Sequence, residues 1–229
     1  MIEDPPLLQV RRRFPRPDAQ TVAEFAGVMT SHLVDALGDN GTLDWRIKPL
    51  APENAQFVGV ALPCHTGPAD NLALLGGIEA AQPGDVLLAA TDGHTGCAVV
   101  GDMVMGMMRN RGVAAFVTDG LVRDIVGILP VGLPVFCRGV TANSPARNGP
   151  GTVGLPVILG GQQVCAGDIV VGDRDGVVVV PCAKIEATLK QLVQIRKAEA
   201  EMEAAVQGGL QVPGFYQAVL DSGRVQEIN

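Results

Sequence analysis

The sequence contains no apolar run as long as the roughly 18 residues that a membrane-spanning helix requires. Its first residues, MIEDPPLL, are acidic and interrupted by proline, whereas a signal peptide begins basic and then becomes apolar. Both absences argue against a membrane partner and against export. We therefore expect a cytoplasmic protein.

Side chains that serve as metal ligands or nucleophiles are also scarce. The three histidines, His32, His65 and His94, are not at HxxxH spacing, and the five cysteines form no CxxC pair. Cys64 precedes His65, but adjacent residues of a strand point to opposite faces, so no thiolate and imidazole pair follows. A zinc site is not expected, and we predict buried reduced thiols at Cys64, Cys97, Cys137, Cys165 and Cys182.

Positive charge is in the minority. Lys and Arg total 17 against 24 Asp and Glu, which gives a net charge of -7 and argues against a nucleic-acid partner, since such a surface repels phosphate. The one basic cluster lies in the N-terminal arm, which is expected to be solvated or to contact another subunit. Its members are Arg11, Arg12, Arg13 and Arg16.

The composition is that of a folded, turn-rich domain. The 229 residues are 47% apolar, and 29 glycines and 16 prolines are spread along the chain without a short period. A chain of this length buries a continuous core without disulfides. We predict one domain, residues 1–229, with an N-terminal arm (1–17) and C-terminal helices (183–229).

Strand and helix patterns alternate between residues 85 and 140. The apolar run VLLAA follows a QPGD turn and indicates a strand buried on both faces. A helical pattern follows in GDMVMGMMRNRG, where Met103, Val104, Met107 and Met108 are predicted to share one face. The alternation predicts a mostly parallel sheet covered by helices.

The flanking segments have other patterns. Two short helices are predicted over residues 18–38, the second capped by Thr30 or Ser31. After Thr141, short β-rich runs predict the strands of a second sheet layer, and VGDRDG within them indicates a turn and not a calcium loop. A long helix is predicted over residues 183–206, followed by a short one. The pattern as a whole predicts an α/β fold with two sheet layers.

Glycine and charged side chains stand where an α/β sheet binds ligands. Gly101 and Asp102 open a helix, and Arg123 and Asp124 follow the next strand. Arginine can grip a carboxylate or keto oxygen, aspartate can hold a hard divalent cation, and the first amides of a helix favour an anion. From spacing alone, an ordinary surface ion pair between Arg123 and Asp124 remains the alternative.

Asp102, twenty intervening residues, Arg123 and Asp124 form a D-x20-R-D pattern. This pattern resembles the signature of the class II pyruvate aldolases, specifically 4-hydroxy-4-methyl-2-oxoglutarate / 4-carboxy-4-hydroxy-2-oxoadipate aldolase, in the superfamily of the regulator of ribonuclease activity A. The resemblance extends over most of the chain and includes the segments QPGDVLLAA, TDG, GDMV, TDGLVRD and CAGDIVVGDRDGVVVVP.

The resemblance implies a three-layer β/β/α swivelling-domain fold with flanking N- and C-terminal helices. It implies a homotrimer or homohexamer with active sites between subunits. In that site, Asp124 would bind Mg²⁺ or Mn²⁺, Arg123 would bind the pyruvyl oxygens of a small 2-oxo acid, and Asp102 would orient or activate a metal-associated water. The substrate carboxylate would be held by the backbone of Gly101, Asp102, Met103 and Val104.

Three more residues match the family less specifically. Asp35 and Glu199 are the best matches for acids that the neighbouring subunit supplies, and Asn71 matches a polar position of the crevice. Alternatives stay open for each of them: an exposed helix charge at Asp35, Glu201 or Glu203 in place of Glu199, and helix capping by Asp70 or Asn71.

The implied reaction is retro-aldol cleavage of a 4-hydroxy-2-oxo diacid from aromatic-ring degradation. It would give pyruvate and a second 2-oxo acid through a metal-stabilised enolate, with oxaloacetate decarboxylation as a side activity. No Schiff-base lysine is required, and the four lysines stand outside the motifs. The alternative within the superfamily is a non-catalytic protein that binds and inhibits a ribonuclease.

Overall fold

The structure is a computed structural model that describes residues 6–38 and 40–228. The helices are α1 (Ala19–Ala23), α2 (Thr30–Ala36), α3 (Leu72–Ala80), α4 (Asp102–Asn110), α5 (Ile125–Ile128), α6 (Ile185–Gln207) and α7 (Phe215–Asp221). The strands are β1 (Leu8–Val10), β2 (Lys48–Pro49), β3 (Phe57–His65), β4 (Asp85–Ala90), β5 (Ala98–Val100), β6 (Ala115–Thr118), β7 (Leu121–Val122), β8 (Val135–Cys137), β9 (Gly151–Val153), β10 (Val157–Leu159), β11 (Gln162–Val164), β12 (Ile169–Gly172) and β13 (Val177–Val180).

A nine-stranded sheet forms the centre of the molecule. Its main path runs β1-β9-β3-β4-β6-β8-β2, and the β12–β13 hairpin is attached to β3. The pairs β3–β4, β4–β6 and β6–β8 are parallel, as the alternation of strands and helices predicted. Two-stranded pairs β10–β11 and β5–β7 lie outside this sheet.

Alternate side chains of β4 enter two different cores, which explains why the whole strand is apolar. Val86 and Leu88 pack with the β10–β11 hairpin, through Val157 and Leu159. Leu87 packs with residues of α3 and α4 on the opposite face. The three-layer β/β/α arrangement that the resemblance implied is therefore confirmed, with the hairpin, the sheet and the helices as its layers.

The flanking helices cover a second part of the helical face. Residues of α2 and α6, including Leu33 and Leu192, pack against Ile169 and Val178 of the β12–β13 hairpin. The long helix predicted over residues 183–206 is confirmed as α6, and the short one after it is α7. In the part of the chain that the structure describes, no helix has the length and apolar character needed to cross a membrane.

The prediction of a separate layer after Thr141 is partly wrong. Only the β10–β11 hairpin forms that layer, whereas β9, β12 and β13 join the central sheet. Short apolar runs show that strands form, but the edge to which each strand adds depends on long-range pairing. For β12 the deciding contact is its antiparallel register with the first half of β3.

The N-terminal arm is only partly solvated: Arg11, Arg12 and Arg13 are exposed, as expected, whereas Arg16 and strand β1 belong to the fold. Its strand β1 pairs in parallel with β9. Arg16 donates to both carboxylate oxygens of Asp85, at 2.5 and 3.0 Å. Asp85 is only 1% exposed, so its charge requires this counter-charge inside the protein. Residues 1–5 of the predicted arm lie outside the described residues.

Two details of the predicted helices are wrong. In α4 the buried side chains are Val104, Met105 and Met108, while Met103 and Met107 are 71% and 50% exposed. Residues 104, 105 and 108 lie on the face that meets the sheet, so the methionines at 103 and 107 point away from the core.

The N-cap of α2 is Met29, which makes no side-chain cap bond, and not Thr30 or Ser31. A carboxylate distant in the sequence binds the start of the helix instead. Asp173, in the VGDRDG turn, accepts from the amide and the hydroxyl of Thr30, each at 2.8 Å.

Candidate active site

Two short parallel strands bring the D-x20-R-D residues together. Ala98 and Val100 of β5 pair with Leu121 and Val122 of β7, and the amide of Arg123 donates to the carbonyl of Val100 at 3.0 Å. The two chain segments therefore end side by side. One continues into Gly101 and α4, and the other continues into Arg123, Asp124 and α5.

Two glycines allow the segments that lead into α4 and α5 to pack closely against each other. The carboxylate of Asp124 lies against the α-carbon of Gly101, where an added β-carbon would collide with Oδ2. In the reverse direction, Asp102 lies over Gly127 of α5, where an added β-carbon would be 2.7 Å from the Asp102 β-carbon. Each carboxylate is thus seated on the backbone of the opposite segment.

The guanidinium of Arg123 lies between Asp124 and a loop. Its Nε is 3.3 Å from Asp124 Oδ2, and the two side chains are 32% and 43% exposed. Its Nη1 donates to the hydroxyl of Ser144. A half-exposed ion pair contributes little to stability because solvent screens it. This ion pair instead places a cationic group and an anionic group at one point of the crevice.

Asp124 has a left-handed backbone conformation, with φ 59° and ψ 44°. Ala69 and Asp92 share this conformation, with φ of 59° and 57°, and both follow the C-terminal ends of central strands. Non-glycine residues seldom adopt it, and such strain is concentrated at functional sites. The same edge of the sheet therefore holds the strained positions and the charged cluster.

The start of α4 adds backbone donors. The first helical bond runs from the amide of Met105 to the carbonyl of Gly101 at 3.1 Å, which leaves the amides of residues 102–104 without helical acceptors. The amide of Met103 donates instead to Oδ1 of Asp102 at 2.7 Å. An anion site at these three amides stays a prediction, and the Met103 amide is engaged by Asp102 in this structure.

Asn71 lies beside β5, the strand that leads to Gly101, and is 2% exposed. Its Nδ2 donates to the carbonyl of Val99 at 3.0 Å, two residues before Gly101. Its Oδ1 is buried without a hydrogen-bond partner among the described residues. The capping alternative belongs to Asp70, whose Oδ1 accepts from the amide of Leu72 at 2.8 Å, because Asn71 makes no side-chain cap bond.

Asp35 and Glu199 do not join this cluster within one chain. Asp35 is exposed on α2 and lines a cavity with Thr42 and Asp175. Glu199, on α6, contacts Nε2 of His32. Across residues 6–38 and 40–228, no hydrogen bond or ion pair connects either acid to Asp102, Arg123 or Asp124.

The cysteines do not offer a nucleophile at this site. Cys64, Cys97 and Cys137 are buried, as predicted, and burial raises the pKa of the Cys64 thiol to about 12 and that of Cys137 to about 11. Cys182 is exposed and Cys165 is half-buried, so the expectation of burial is wrong for Cys182. Cys165 follows β11 and Cys182 follows β13, and the amides of both donate to the carboxylate of Asp168.

Asp102 and Asp124 supply carboxylate oxygens, the type of ligand that Mg²⁺ and Mn²⁺ accept. Within the described chain, no group of three or more His, Cys, Asp or Glu residues is arranged around a common point. Mg²⁺ does not need such a cage, because it keeps several waters and binds through one or two carboxylates plus substrate oxygens. Asp124, with Asp102 nearby, fits that kind of donor set.

A cavity beside Pro52, Gln56 and Arg174 lies elsewhere in the described chain. That cavity lacks the combination of helix amides, guanidinium and carboxylates found around Gly101. The candidate site is therefore identified by its chemistry. Sequence reasoning missed Ser144 and Gly127, because neither stands in a recognisable motif.

A model of the RraA-like family, described as Aldolase/RraA, matches residues 30–179. The chain belongs to this family. A protein of Halalkalibacterium halodurans, named provisionally as a 4-hydroxy-4-methyl-2-oxoglutarate aldolase, is 38% identical over 183 residues, which is 80% of this chain and 85% of that protein. The family resemblance seen in the sequence is thereby confirmed.

Solved RraA-like structures share the fold. Streptomyces coelicolor RraAS2, described as an unusual member of the RNase ES inhibitor RraA protein family, is similar with a TM-score of 0.72 and 28% identity, over 83% of this chain and 100% of that chain. The RNA-processing inhibitor RraA from Thermus thermophilis is similar with a TM-score of 0.62 and 25% identity, over 67% and 93% of the two chains.

Proposed function

We propose that this RraA-like chain is a carbon–carbon lyase that cleaves a 4-hydroxy-2-oxo diacid by a retro-aldol reaction. The substrates would be 4-hydroxy-4-methyl-2-oxoglutarate or 4-carboxy-4-hydroxy-2-oxoadipate. The observation that carries the proposal is the packing of Asp124 against Gly101 and of Asp102 against Gly127, with Arg123 beside Asp124, since this brings the three residues of the signature to one place. The name of the Halalkalibacterium halodurans relative supports the same reaction.

A divalent cation, Mg²⁺ or Mn²⁺, would be held by Asp124. When bound, it would act as a Lewis acid toward the oxygens of the 2-oxo acid. The side chain of Asp124 is 43% exposed, which leaves room for the water and substrate ligands that such an ion retains.

Arg123 and the start of α4 would bind the substrate. The guanidinium of Arg123 is a fixed cation for the carboxylate and keto oxygen of a 2-oxo acid. The backbone of Gly101, Asp102, Met103 and Val104 would hold the carboxylate through the amides at the start of the helix. Asn71 would line the same pocket, where its Oδ1 is the buried atom available for a polar contact.

Asp102 would assist the transfer of the proton from the 4-hydroxyl of the substrate. Its Oδ1 accepts from the Met103 amide, so its Oδ2 remains to orient a water or take up the proton that leaves the 4-hydroxyl. Loss of that proton allows the C3–C4 bond to break, which gives pyruvate enolate and a second 2-oxo acid. None of the four lysines contacts the cluster in the described chain; for example, Lys190 pairs with Glu186 and Lys197 with Glu201.

The site would be completed by a second copy of the chain in a homotrimer or homohexamer. Asp35 and Glu199 are exposed carboxylates on α2 and α6, and neither contacts the cluster of its own chain. Their proposed role, assisting proton transfer, therefore requires the neighbouring subunit. The same pyruvate enolate arises when oxaloacetate loses carbon dioxide, so oxaloacetate decarboxylation is proposed as a side activity.

The test is a coupled assay of pyruvate release. The purified chain is given either diacid, or oxaloacetate, with MgCl₂ or MnCl₂, and pyruvate is measured with lactate dehydrogenase. We expect activity that a chelator removes, and a loss of at least about 10²-fold in Arg123→Ala and Asp124→Ala, the usual cost of deleting a charge-stabilising group. Near-normal turnover in either folded variant would rule out this site.

The alternative is a protein-binding regulator of a ribonuclease. It is favoured by the names of the Streptomyces coelicolor and Thermus thermophilis relatives, which are called ribonuclease or RNA-processing inhibitors. Under this alternative, the chain would release no pyruvate from any of the three substrates with either cation.

A further inference from the structure

The guanidinium of Arg123 has one partner that belongs to neither arm of the D-x20-R-D signature. Ser144, 21 residues further along the chain, accepts a hydrogen bond from Nη1 of Arg123. The neighbouring Asp124 lies on the opposite side of the group, with Oδ2 3.3 Å from Nε, although Nε is buried and makes no hydrogen bond among the described residues. In the described chain, Nη2 of Arg123 has neither a hydrogen bond nor an ion pair with the protein, so it is free to bind a ligand.

Ser144 belongs to a loop that the fold holds rigidly. Asn143 donates from Nδ2 to the carbonyl of Gly96 at 2.9 Å, and its own carbonyl accepts from the amide of Ala98 at 3.0 Å. The hydroxyl therefore has a fixed position relative to β5, the strand that leads to Gly101.

The other end of this loop is fixed by Asp70, which is 8% exposed. Its Oδ2 accepts from the amides of Asn148 and Gly149, at 2.5 and 3.1 Å. Between these points, the amide of Ala146 donates to the carbonyl of Ala69 at 2.8 Å. A buried carboxylate thus anchors a loop whose exposed serine meets Arg123.

We propose that Ser144 is a positioning residue for Arg123, which sets the guanidinium so that Nη2 faces the carboxylate of a 2-oxo acid. This inference rests on the proposed function. An arginine side chain has about 2 kcal/mol of rotamer entropy, and a half-exposed ion pair with its own neighbour does not fix it. A hydroxyl on an anchored loop supplies the missing constraint.

The matched variants are Ser144→Thr and Ser144→Val, which have the same shape and differ by a hydroxyl. Both are compatible with the backbone, because Ser144 precedes Pro145 and is therefore restricted to extended conformations that β-branched residues favour. We expect Ser144→Val to raise the KM for the diacid about three- to tenfold with kcat changed less than about twofold, and Ser144→Thr to stay within about twofold of wild type. Ser222→Ala, on the C-terminal segment, is the control for serine loss elsewhere.

A second measurement does not depend on activity. In ¹⁵N-arginine-labelled protein, the Nε resonance of Arg123, assigned by its disappearance in Arg123→Lys, reports the order of the guanidinium. We expect wild type and Ser144→Thr to show an ordered signal and Ser144→Val to show a mobile one. An unchanged signal in Ser144→Val, or an equal KM in the Thr and Val variants, would overturn the inference. If wild type shows no lyase activity, the proposed function fails and the resonance still decides whether Ser144 orders Arg123.

Discussion

The carboxylate of Asp124 rests on the α-carbon of Gly101, with no room for a side chain between them. The two residues are 23 positions apart in the sequence, and the β5–β7 pair brings them into contact. Glycine at position 101 is therefore part of the site, although it contributes no functional group. The placement of the proposed metal-binding carboxylate depends on an absent β-carbon.

Gly101→Ala should displace the Asp124 carboxylate and lower pyruvate release by at least about 10²-fold, because the charge is moved away from the reacting oxygens. Gly106→Ala is the control on the same helix, where an added β-carbon meets nothing within 4 Å. The control should keep full activity and gain about 0.5 to 1 kcal/mol of stability from the lower backbone entropy of alanine. Steady-state kinetics and urea unfolding measure both effects, and equal activity in the two variants would contradict the prediction.

Asp124→Asn and Asp124→Ala separate charge from conformation. Both should lose Mn²⁺ binding, measured by electron paramagnetic resonance, and both should lose activity. Only Asp124→Ala should also lose about 1 kcal/mol of stability, because asparagine adopts the left-handed conformation at φ 59° at a lower cost than alanine. Retained Mn²⁺ binding in Asp124→Asn would place the cation elsewhere.

Ala69 offers the reverse experiment, since it already carries a β-carbon in the left-handed region at φ 59°. Ala69→Gly should stabilise the protein by about 0.5 to 1 kcal/mol, the relief of strain minus the entropy of the unfolded glycine. Urea unfolding tests the change, and a loss of stability would show that the methyl group contributes packing that outweighs its strain.

Truncation of Asp119 should lower stability, whereas truncation of Asp102 should lower activity. Asp119 is 4% exposed and accepts from the amide of Thr91 at 2.7 Å, from its hydroxyl at 2.9 Å and from the amide of Gly93 at 3.0 Å. Asp119→Ala should cost roughly 2 to 4 kcal/mol, because buried donors lose their acceptor. Asp102→Ala should leave stability within about 1 kcal/mol while it removes activity. Thermal unfolding and the pyruvate assay on both variants test this contrast.

Asp168 should give the folded state a distinct pH dependence. Burial raises the pKa of its carboxyl above the ordinary 3.8, although the amides of Cys165 and Cys182 act in the opposite direction. The folded protein therefore holds this proton to higher pH than the unfolded chain. The stabilising contribution is full below pH 3.8 and is lost as the pH rises through the folded pKa.

The measurement is urea unfolding of wild type and Asp168→Asn from about pH 3 to about pH 7. The free energy of unfolding of wild type, relative to the variant, should fall as pH rises. Asp18→Asn is the control of opposite sign, because a hydrogen bond from Thr21 lowers the pKa of Asp18. Its contribution is present above the unfolded pKa and lost as pH falls. A wild-type advantage over Asp168→Asn that grows with pH would contradict the assignment.

Much of the fold was predictable because it rests on local patterns. The two-sided burial of β4 follows from five consecutive apolar residues, and α6 follows from its uninterrupted helical composition. The face of α4 was predicted wrongly at Met103 and Met107, since several overlapping apolar faces fit one short methionine-rich helix. The positions of β9 and β12 in the sheet could not be predicted, because a strand's own sequence does not specify its partner.

The sequence by itself determined the residues of the candidate site and the family: the spacing of Asp102, Arg123 and Asp124, the glycine at position 101 and the RraA-like family to which the chain belongs. Only the tertiary structure decided which distant groups surround that chemistry. It placed Ser144 on Arg123, Gly127 under Asp102, and Arg16 beside Asp85. The physical reason is that these contacts join residues far apart in the chain, and they arise from the folding of whole strands and loops against each other and not from any local pattern.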